Sequence, residues 1–239
     1  MAKFNLQKET ERAKFVIEKR KIPNVKAQVL MNLDVSGSAR GLFSSGQMQE
    51  AFQRVLPIGI LFDDNQEVDV FIFQSGSNIA HIDVNATTAN YADYIDKHIL
   101  RSSSVRALLW GGTDYAPVIR ENLESMGYFK KAGFFGSKKL SAKSDSGYPT
   151  IVYFFTDGEN NDRTETMKIL QEAQDAKAQM YVLFIGIGDA NFSFIEKLGD
   201  KFDNTGFLNI QDLKSMEDDD SLYEKLLPEE LCTWLATSK

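Results

Sequence analysis

The chain alternates between short, continuous hydrophobic runs and longer segments in which hydrophobic residues recur about every three to four positions. Continuous runs are typical of parallel strands that are buried on both faces, and the longer segments are typical of amphipathic helices. Strands are predicted at residues 26–34, 68–73, 79–84, 150–155, 180–187 and 206–210. This alternation predicts an α/β fold, with one doubly wound, mostly parallel sheet that carries helices on both faces.

One predicted strand differs from the others. Residues 79–84 alternate between hydrophobic and polar positions, and a polar turn at 75–78 joins them to the preceding strand. A short turn of this kind permits only antiparallel pairing, so we expect one antiparallel strand at the edge of the sheet. Helices are predicted at about residues 43–61, 91–99, 118–126, 167–173 and 194–198.

Two segments stand outside this alternation. Residues 5–21 are charged and end before Pro23, which predicts that residues 1–23 form a helical arm packed on a domain of residues 24–239. Residues 130–148 are rich in Lys, Gly and Ser and show no periodicity, so they are predicted to be a surface insertion. Five lysines make it basic. A solvated loop and a docking surface for an acidic partner both fit this composition.

Composition narrows the possible functions. At 239 residues and 43% hydrophobic residues, the chain has the size and core content of one large domain. Its formal net charge of -7 argues against a general nucleic-acid binder, which needs a basic face to neutralise phosphates.

The cell compartment is also predicted from the sequence. A single cysteine, Cys232, cannot form an intrachain disulfide and is expected to be a buried thiol in a reducing compartment. The N-terminus carries charges where a signal peptide has hydrophobic residues, and no hydrophobic run is long enough to cross a membrane. We therefore expect a cytoplasmic protein that binds neither membrane nor nucleic acid.

Polar residues with metal-binding chemistry follow two of the predicted strands. One strand ends at Asp34 and another at Asp157, and a Gly-Gly-Thr loop ending at Thr113 can reach the same edge. In doubly wound sheets, ligands bind at the carboxyl ends of the strands, where the strand order reverses. The candidate metal ligands are therefore Asp34, Ser36, Ser38, Thr113 and Asp157. The alternating spacing of the first three, with Gly37 in the bend, places three oxygens on one side of a tight turn.

These five side chains offer only hard oxygen donors, without imidazole or thiolate. Such donors favour Mg²⁺ or Mn²⁺, with Ca²⁺ less favoured, over Zn²⁺ or copper. Three donors are neutral hydroxyls, and five side chains leave at least one octahedral position open. A carboxylate of a partner protein can complete the coordination. A purely structural role, with the aspartates as helix caps, leaves the convergence of three loops unexplained.

The same residues resemble the metal-ion-dependent adhesion site (MIDAS) of the von Willebrand factor A (vWA) domain family. Its pattern of Asp-x-Ser-x-Ser, a distant Thr and Thr-Asp-Gly is matched by residues 34–38, Thr113 and residues 156–158. The resemblance implies that Ser36, Ser38 and Thr113 bind the ion, and that the two aspartates bind it directly or through water. It also implies a Rossmann-like sheet.

Other segments look like the A domains of bacterial and phage tellurium-resistance proteins of the TerF type, and this resemblance covers about residues 10–215. They are Leu-Pro-Ile at 56–58, Phe-Asp-Asp at 62–64, Gly-Gly-Thr-Asp-Tyr-Ala-Pro at 111–117 and Phe-Thr-Asp-Gly-Glu-Asn at 155–160. The resemblance implies a cytoplasmic, metal-binding, protein-interaction role in stress or toxic-anion resistance.

One departure from these relatives concerns the rim of the site. Asp114 stands where they have Asn, and its carboxylate is expected either to strengthen cation binding or to repel an acidic partner. Asp114, Glu159 and Asn160 are the candidate partner-binding residues of the rim.

Two classes of function remain. The first is a non-enzymatic module that binds a protein partner through its metal ion. The alternative is a Mg²⁺-dependent phosphohydrolase on a similar sheet, with Asp34 or Ser36 as nucleophile. Against the enzyme, the sequence has no second carboxylate two residues after Asp34 and no phosphate-binding G-x-x-x-x-G-K-[ST] loop. The sequence leaves the oligomeric state open.

Overall fold

Six strands form one sheet at the centre of the molecule, in a computed structural model that describes residues 4–22, 26–63, 65–131, 138–158, 160–211 and 221–238. The spatial order of the strands is β3-β2-β1-β6-β7-β8. Their bounds are Gln28–Asp34 (β1), Asp69–Phe73 (β2), Ile79–His81 (β3), Thr150–Thr156 (β6), Met180–Ile187 (β7) and Thr205–Ile210 (β8).

Five of these strands run parallel, and the edge strand β3 pairs antiparallel with β2. The predicted α/β sheet with one antiparallel edge strand is therefore confirmed. The chain leaves β1 toward β2 on one side and later returns to β6 on the other side, so the strand order reverses between β1 and β6. This reversal opens a crevice at the carboxyl ends of these two strands, which are Asp34 and Thr156.

Helices cover both faces of the sheet. One face packs against α1, α2, α3, α7 and α8, and the other against α4, α5 and α6. The helices span Leu6–Lys19 (α1), Arg40–Ser44 (α2), Gln47–Phe62 (α3), Ala116–Ser125 (α4), Arg163–Asp175 (α5), Ser193–Lys201 (α6), Ser221–Leu226 (α7) and Glu229–Thr237 (α8). No helix in the described ranges combines the length and hydrophobicity needed to cross a bilayer.

Two predicted helices differ from those in the structure. The helix expected at about residues 43–61 is divided into α2 and α3 at Gly46, whose backbone has a φ of 80°. The helix expected at 91–99 is a 3₁₀ turn, Tyr91–Asp93, followed by a π-helical segment, Ile95–Leu100. Hydrophobic spacing did not separate these helix types, because all of them place residues three to five positions apart on one side.

The segment predicted as an irregular insertion at 130–148 contains regular structure. Phe129–Lys131 (β4) and Lys138–Leu140 (β5) form a separate antiparallel pair. The strands were not predicted because lysines occupy consecutive positions, which hides the alternation that identifies a strand. Only Phe129 and Leu140, at the base of the pair, pack against the core.

Helix α1 lies against α3 and α7 through a buried cluster of polar side chains. The carboxylate of Glu9 is 3.2 Å from the guanidinium of Arg54 and 3.3 Å from that of Arg12, and it accepts a hydrogen bond of 3.1 Å from the hydroxyl of Tyr223. We call these four residues the arm cluster. It attaches the N-terminal helix to the body, and the division into an arm and a domain stays a prediction.

A buried pair of amides positions α4 on the sheet. Asn32 in β1 and Asn122 in α4 are fully buried, and their side chains exchange two hydrogen bonds of 2.7 and 3.2 Å. Since buried amides are costly without partners, this pair fixes how α4 lies across β1. The loop that precedes α4, which contains Thr113, is thereby held at the carboxyl end of the sheet.

Candidate metal centre

Two of the three predicted loops are joined directly by backbone contacts. Ser36 and Gly111 form an isolated parallel bridge, in which the N–H of Gly37 donates to the carbonyl of Gly111 at 2.8 Å. One residue earlier, the N–H of Trp110 donates to the carbonyl of Val35 at 2.7 Å. The Thr113 loop therefore extends the sheet beside the end of β1.

The absence of a side chain at Gly111 leaves room for this close approach. A Cβ there would lie 1.2 Å from Oε1 of Gln74, whose side chain is buried at the end of β2. Trp110 adopts a left-handed backbone with a φ of 71°, which is strained for a bulky residue. Its ring packs edge-on against Phe43 with centroids 5.5 Å apart, so packing holds this conformation in place.

Asp34 lies at the bottom of the centre and is fully buried. Its Oδ1 accepts the backbone N–H of Ser36 at 2.9 Å, and its Oδ2 accepts the hydroxyl of Thr156 at 2.8 Å. The pKa of this carboxyl is raised from its ordinary 3.8 to about 7, with burial as the largest cause and the nearby charge of Asp157 adding to it, against the lowering effect of the hydrogen bonds. The hydrogen bonds that Asp34 accepts among the described residues come from uncharged donors.

A chain of hydroxyl groups orients Asp34. The Thr156 hydroxyl has one proton and donates it to Asp34, so the hydrogen bond of 2.8 Å between Thr156 and Tyr115 has the tyrosine as donor. Burial raises the pKa of Tyr115 well above its ordinary value and keeps this proton in place. Sequence reasoning did not assign this role to Thr156 or Tyr115, although Thr156 belongs to the Thr-Asp-Gly motif.

The two serines place their hydroxyls side by side. Ser36 is buried and Ser38 is exposed, and their Oγ atoms are 3.1 Å apart. The N–H of Ala39 points to the Oγ of Ser36 at 3.4 Å. The two hydroxyls therefore lie between the buried carboxylate of Asp34 and the solvent.

Thr113 carries the least satisfied polar atom of the centre. Its side chain is 1% exposed, and its Oγ1 has no hydrogen-bond partner within the described part of the chain. A buried hydroxyl without a partner costs about 1–3 kcal/mol. Its backbone is well held, since its carbonyl accepts the N–H of Asn161 at 2.9 Å. A hydroxyl placed this firmly and left unpaired fits a site that receives a ligand.

Asp162, which was not among the predicted site residues, connects the loop after β6 to the start of α4. The carboxylate of Asp162 accepts the N–H groups of Tyr115 at 2.9 Å and Ala116 at 2.8 Å, and so caps the N-terminus of α4. It also accepts the hydroxyl of Thr166 at 2.9 Å and the amide of Asn160 at 2.7 Å. The two N–H groups that it caps, at the N-cap and the first residue of α4, lie 47 and 46 positions away, so no local pattern could reveal this role.

The predicted rim residues have different surroundings. Asp114 is half-buried, and its Oδ2 accepts the N–H of Gly76 at 2.7 Å, which ties the Thr113 loop to the β2–β3 turn. Asn160 is buried, and its Oδ1 has no partner within the described residues. Glu159 lies outside the described residues. Both alternatives for Asp114, stronger cation binding and repulsion of an acidic partner, stay predictions.

The five predicted ligands thus lie on three loops held at one edge of the sheet. Asp34, Ser36 and Ser38 share one hydrogen-bonded turn, the charge of half-buried Asp157 acts on Asp34, and the Thr113 loop is bonded to the same turn through Gly37. Among the described residues, no group of three or more His, Cys, Asp or Glu side chains is arranged to hold a metal. A cation here would be held mainly by hydroxyls.

Solved structures share the fold of this chain. Proximal thread matrix protein 1 of the mussel byssus, in a structure described as having a zinc-occupied MIDAS motif, is 16% identical with a TM-score of 0.54. That match covers 87% of this chain and 48% of the mussel chain. A von Willebrand factor type A protein from Catenulispora acidiphila is 13% identical with a TM-score of 0.54, covering 87% of this chain and 43% of that one. This chain therefore spans less than half of each structure.

Sequence comparisons identify the family. The uncharacterized protein YcbR of Bacillus subtilis (strain 168) is 31% identical over 244 residues, covering 100% of this chain and 89% of that protein. A family model named vWA-TerF-like, for the vWA found in the TerF C terminus, matches residues 26–239. Both resemblances predicted from the sequence are confirmed, and the chain belongs to the vWA-TerF-like family.

Proposed function

We propose that this chain is a protein-interaction module whose binding depends on a divalent cation. The cation would be held by Asp34, Ser36, Ser38, Thr113 and Asp157, and its remaining coordination position would accept an acidic side chain of the partner. The proposal assigns no catalytic step to the chain. Its place in the cell would be the cytoplasm, in the stress response or tellurium resistance implied by its TerF-type resemblance.

The unpaired hydroxyl of Thr113 is the observation that carries this proposal. The hydroxyl is buried and unpaired within the described residues, beside a turn in which Asp34 is also buried without a basic partner. Both groups are costly in this state, and one cation would relieve both costs at once. The residues therefore fit the ion that the fold family implies.

The donor set also supports a choice of metal. Two carboxylates and three hydroxyls are hard donors, which Mg²⁺ and Mn²⁺ accept and Zn²⁺ prefers less than nitrogen or sulfur. The mussel protein is described with zinc in its MIDAS motif, which supports a divalent cation at this position of the fold. For this chain we propose Mg²⁺ or Mn²⁺.

An acidic partner group follows from the charge and exposure of the donors. The two carboxylates formally balance the charge of a divalent ion, and the three neutral hydroxyls add no negative charge that would repel another anion from the open position. Ser38 is exposed, so a partner can approach the ion from its side. A carboxylate gives a charged oxygen donor of the kind that these ions prefer.

The phosphohydrolase alternative has less support. Phosphoryl transfer needs cationic groups around the transferred phosphate in addition to the metal. Arg40 is the basic residue nearest to the serines in the sequence, and its guanidinium lies 5.5 Å from the centre of the Trp110 ring. The carboxylate of Asp34, one of the two candidate nucleophiles, accepts hydrogen bonds from Ser36 and Thr156.

Calorimetric titration of Mg²⁺ and Mn²⁺ into the metal-free protein tests the cation site. The variant Thr113→Val keeps the shape of the side chain and removes only the unpaired hydroxyl, so its fold should be unchanged or slightly stabilised. We expect its affinity for both ions to fall by about tenfold or more. Thr113→Ser restores a hydroxyl and is expected to recover most of the affinity.

Equal affinity in the wild type and Thr113→Val would contradict the proposed site. The partner is tested separately, by capture from a host lysate with magnesium or with EDTA. We expect at least one protein to be retained by the wild type in magnesium and lost both in EDTA and with Thr113→Val. Identical captured proteins in all four samples would contradict a metal-dependent interaction.

A further inference from the structure

The strand pair β4–β5 carries four lysines that the proposed function does not use. The register places Lys130 opposite Lys139 and Lys131 opposite Lys138. Directly opposite residues share a face, and neighbours along a strand point to opposite faces. Each face of the pair therefore carries two facing lysines, and we call these four residues the lysine ribbon.

This arrangement opposes the stability of the strand pair. Like charges directly opposite each other destabilise a pair of strands, by up to about 1 kcal/mol for each pair. The N–H of Ser141 donates to the carbonyl of Tyr128, so hydrogen-bonded pairing falls on alternate residues and includes Lys130 with Lys139. Lys131 and Lys138 then form a non-hydrogen-bonded pair, whose side chains lie closer together. A sequence selected only for stability would not place lysine at all four positions.

Contacts at the base hold the strands together despite this repulsion. Phe129 and Leu140 face each other and pack on the core, and the guanidinium of Arg120 lies 5.5 Å from the centre of the Phe129 ring. Below them, the N–H of Asp145 donates to the carbonyl of Met126 at 3.0 Å. The base of the strand pair is therefore held by core packing and backbone hydrogen bonds, and the four lysines lie beyond this base.

The lysine ribbon lies at the opposite end of the sheet from the candidate metal centre. The segment that follows β5 is bonded to residues that come just before or at the start of central strands. The carbonyl of Ala142 accepts the N–H of Gln179 at 2.8 Å, and Ser146 donates to the side chain of Gln28 at 2.9 Å. Gln28 begins β1, whereas the metal centre lies at the carboxyl end of that strand.

Most of the positive charge is available for binding. Lys130 pairs with Asp145, but Lys131, Lys138 and Lys139 are exposed and form no ion pair within the described residues. The sheet contains only β4 and β5, so in the described part of the chain both outer edges lack a neighbouring strand. Free N–H and C=O groups on such edges can pair with another extended chain.

We propose that the lysine ribbon binds an acidic segment of a protein partner, which adds to one outer edge as an extended strand. Acidic side chains on such a strand point alternately to both faces and so meet the lysines that both faces carry. The added carboxylates offset the repulsion between facing lysines. This interaction does not require the metal ion, so the molecule would have two separate binding ends.

Charge and shape favour a protein segment over other anions. A long polyanion such as DNA or RNA reaches beyond the ribbon onto the rest of the surface, where the net charge of -7 repels it, whereas a short acidic segment can stay on the ribbon. A flat membrane engages one side of a ribbon more readily than both sides. An extended strand is the ligand that reaches the lysines of both faces through a single edge.

A peptide with four Glu-Glu-Val repeats, labelled with fluorescein, is the probe, and its binding is followed by fluorescence anisotropy. The variant Lys131→Gln, Lys138→Gln, Lys139→Gln removes three charges from the ribbon. The control variant Lys14→Gln, Lys197→Gln, Lys225→Gln removes three exposed lysines from helices. We expect the ribbon variant to weaken binding by about tenfold or more and the control by less than about twofold, with EDTA without effect.

A second peptide separates strand addition from general charge attraction. Replacing each Val by Pro keeps the charge but removes N–H groups and disfavours an added strand, so we expect weaker binding. Equal binding of the proline peptide would overturn strand addition. Tighter lysine-dependent binding of single-stranded DNA or phosphatidylserine vesicles than of the glutamate peptide would overturn the choice of a protein segment.

Thermal unfolding distinguishes a binding role from a structural role for the lysines. Because the ribbon variant loses like-charge repulsion, its Tm is expected to equal or exceed that of the wild type. A lower Tm with weaker binding would indicate that the lysines support the fold, and this would overturn the proposal. Since the metal centre is not involved, this result is independent of the titration with Thr113→Val.

Discussion

Two of the carboxylates that are buried among the described residues, Glu9 and Asp34, lie in opposite electrostatic surroundings. Glu9 in the arm cluster is 5% exposed and contacts the guanidinium groups of Arg12 and Arg54. Asp34 in the candidate metal centre is 0% exposed, and within the described residues its partners are uncharged N–H and O–H donors. One buried carboxylate has its countercharge supplied by the chain, and the other does not.

The difference separates a structural cluster from a binding site. The attraction between Glu9 and its two arginines offsets part of the cost of desolvating these charges, so the carboxylate needs no cation from outside the chain. Asp34 is close to the charge of a second carboxylate, Asp157, and its pKa is raised to about 7. A protein that retains such an uncompensated group sacrifices stability, and this is characteristic of functional sites.

The two clusters also differ in what they join. The arm cluster connects α1, α3 and α7, with Glu9 and Tyr223 214 positions apart. The metal centre connects loops at the switch point of the sheet, and hydrogen bonds of Asp162 and of the Asn32–Asn122 pair fix the position of α4 beside them. The buried arm cluster therefore attaches α1 to the body, whereas the buried part of the metal centre holds its loops ready for a ligand.

Removing the countercharge of Glu9 should produce the largest effect. Arg54→Met keeps the hydrophobic part of the side chain but leaves Glu9 buried with Arg12 as its remaining cation. Breaking a buried ion pair on one side costs about 3–5 kcal/mol, and we expect the free energy of unfolding in urea to fall by this amount. Lys14→Met is the control, because Lys14 is exposed and 3.9 Å from Glu18. A cost below about 1 kcal/mol for Arg54→Met would contradict the role assigned to the arm cluster.

The pH dependence of the metal-free protein should show the missing countercharge of Asp34. Its pKa is about 7 in the folded state and near 3.8 in the unfolded state, so folding favours the protonated form. The stability contribution is full below the unfolded pKa and is lost as pH rises toward the folded pKa. The loss is at most about 1.4 kcal/mol per pH unit within this window. Urea unfolding between pH 5 and pH 8 measures it.

The variant Asp34→Asn is the control for this dependence. It remains neutral at every pH, so the metal-free variant should be more stable than the wild type at pH 8, with a smaller difference at pH 5. Saturating Mg²⁺ should stabilise the wild type at pH 8 and leave the variant unchanged. Parallel pH profiles for the two metal-free proteins would show that the charge of Asp34 is compensated in the folded state.

The sequence predicted those parts of the site that depend on local order. Hydrophobic runs ending at Asp34 and before Asp157 are strand signals within a few residues of the polar groups they deliver. The placement of Thr113 followed from the rule that such loops meet at the carboxyl edge. The fold class followed from the same alternation of strands and helices.

Contacts between distant residues could not be predicted in this way. Asp162 caps a helix that begins 46 residues earlier in the chain. Arg54 in α3 forms an ion pair with Glu9 in α1. A charged residue in an otherwise hydrophobic helix gives no indication of its partner. The strands of the lysine ribbon were hidden because their side chains are polar on both faces.

A carboxylate at the protein surface extends the comparison to a third case, with the smallest expected effect. Asp69 in β2 lies 2.9 Å from Nε2 of His81 in β3, whose side chain is 42% exposed. The hydrogen bond to Asp69 raises the pKa of His81 above 6.5 in the folded protein. Its stabilising contribution is therefore present below pH 6.5 and is lost as pH rises through the raised pKa.

Asp69→Asn should cost less than about 1 kcal/mol at pH 5 and little at pH 8.5, because solvent screens an exposed pair. NMR titration of the imidazole together with unfolding at both pH values measures this, and a cost as large as that of Arg54→Met would show that exposure does not set the strength of these pairs.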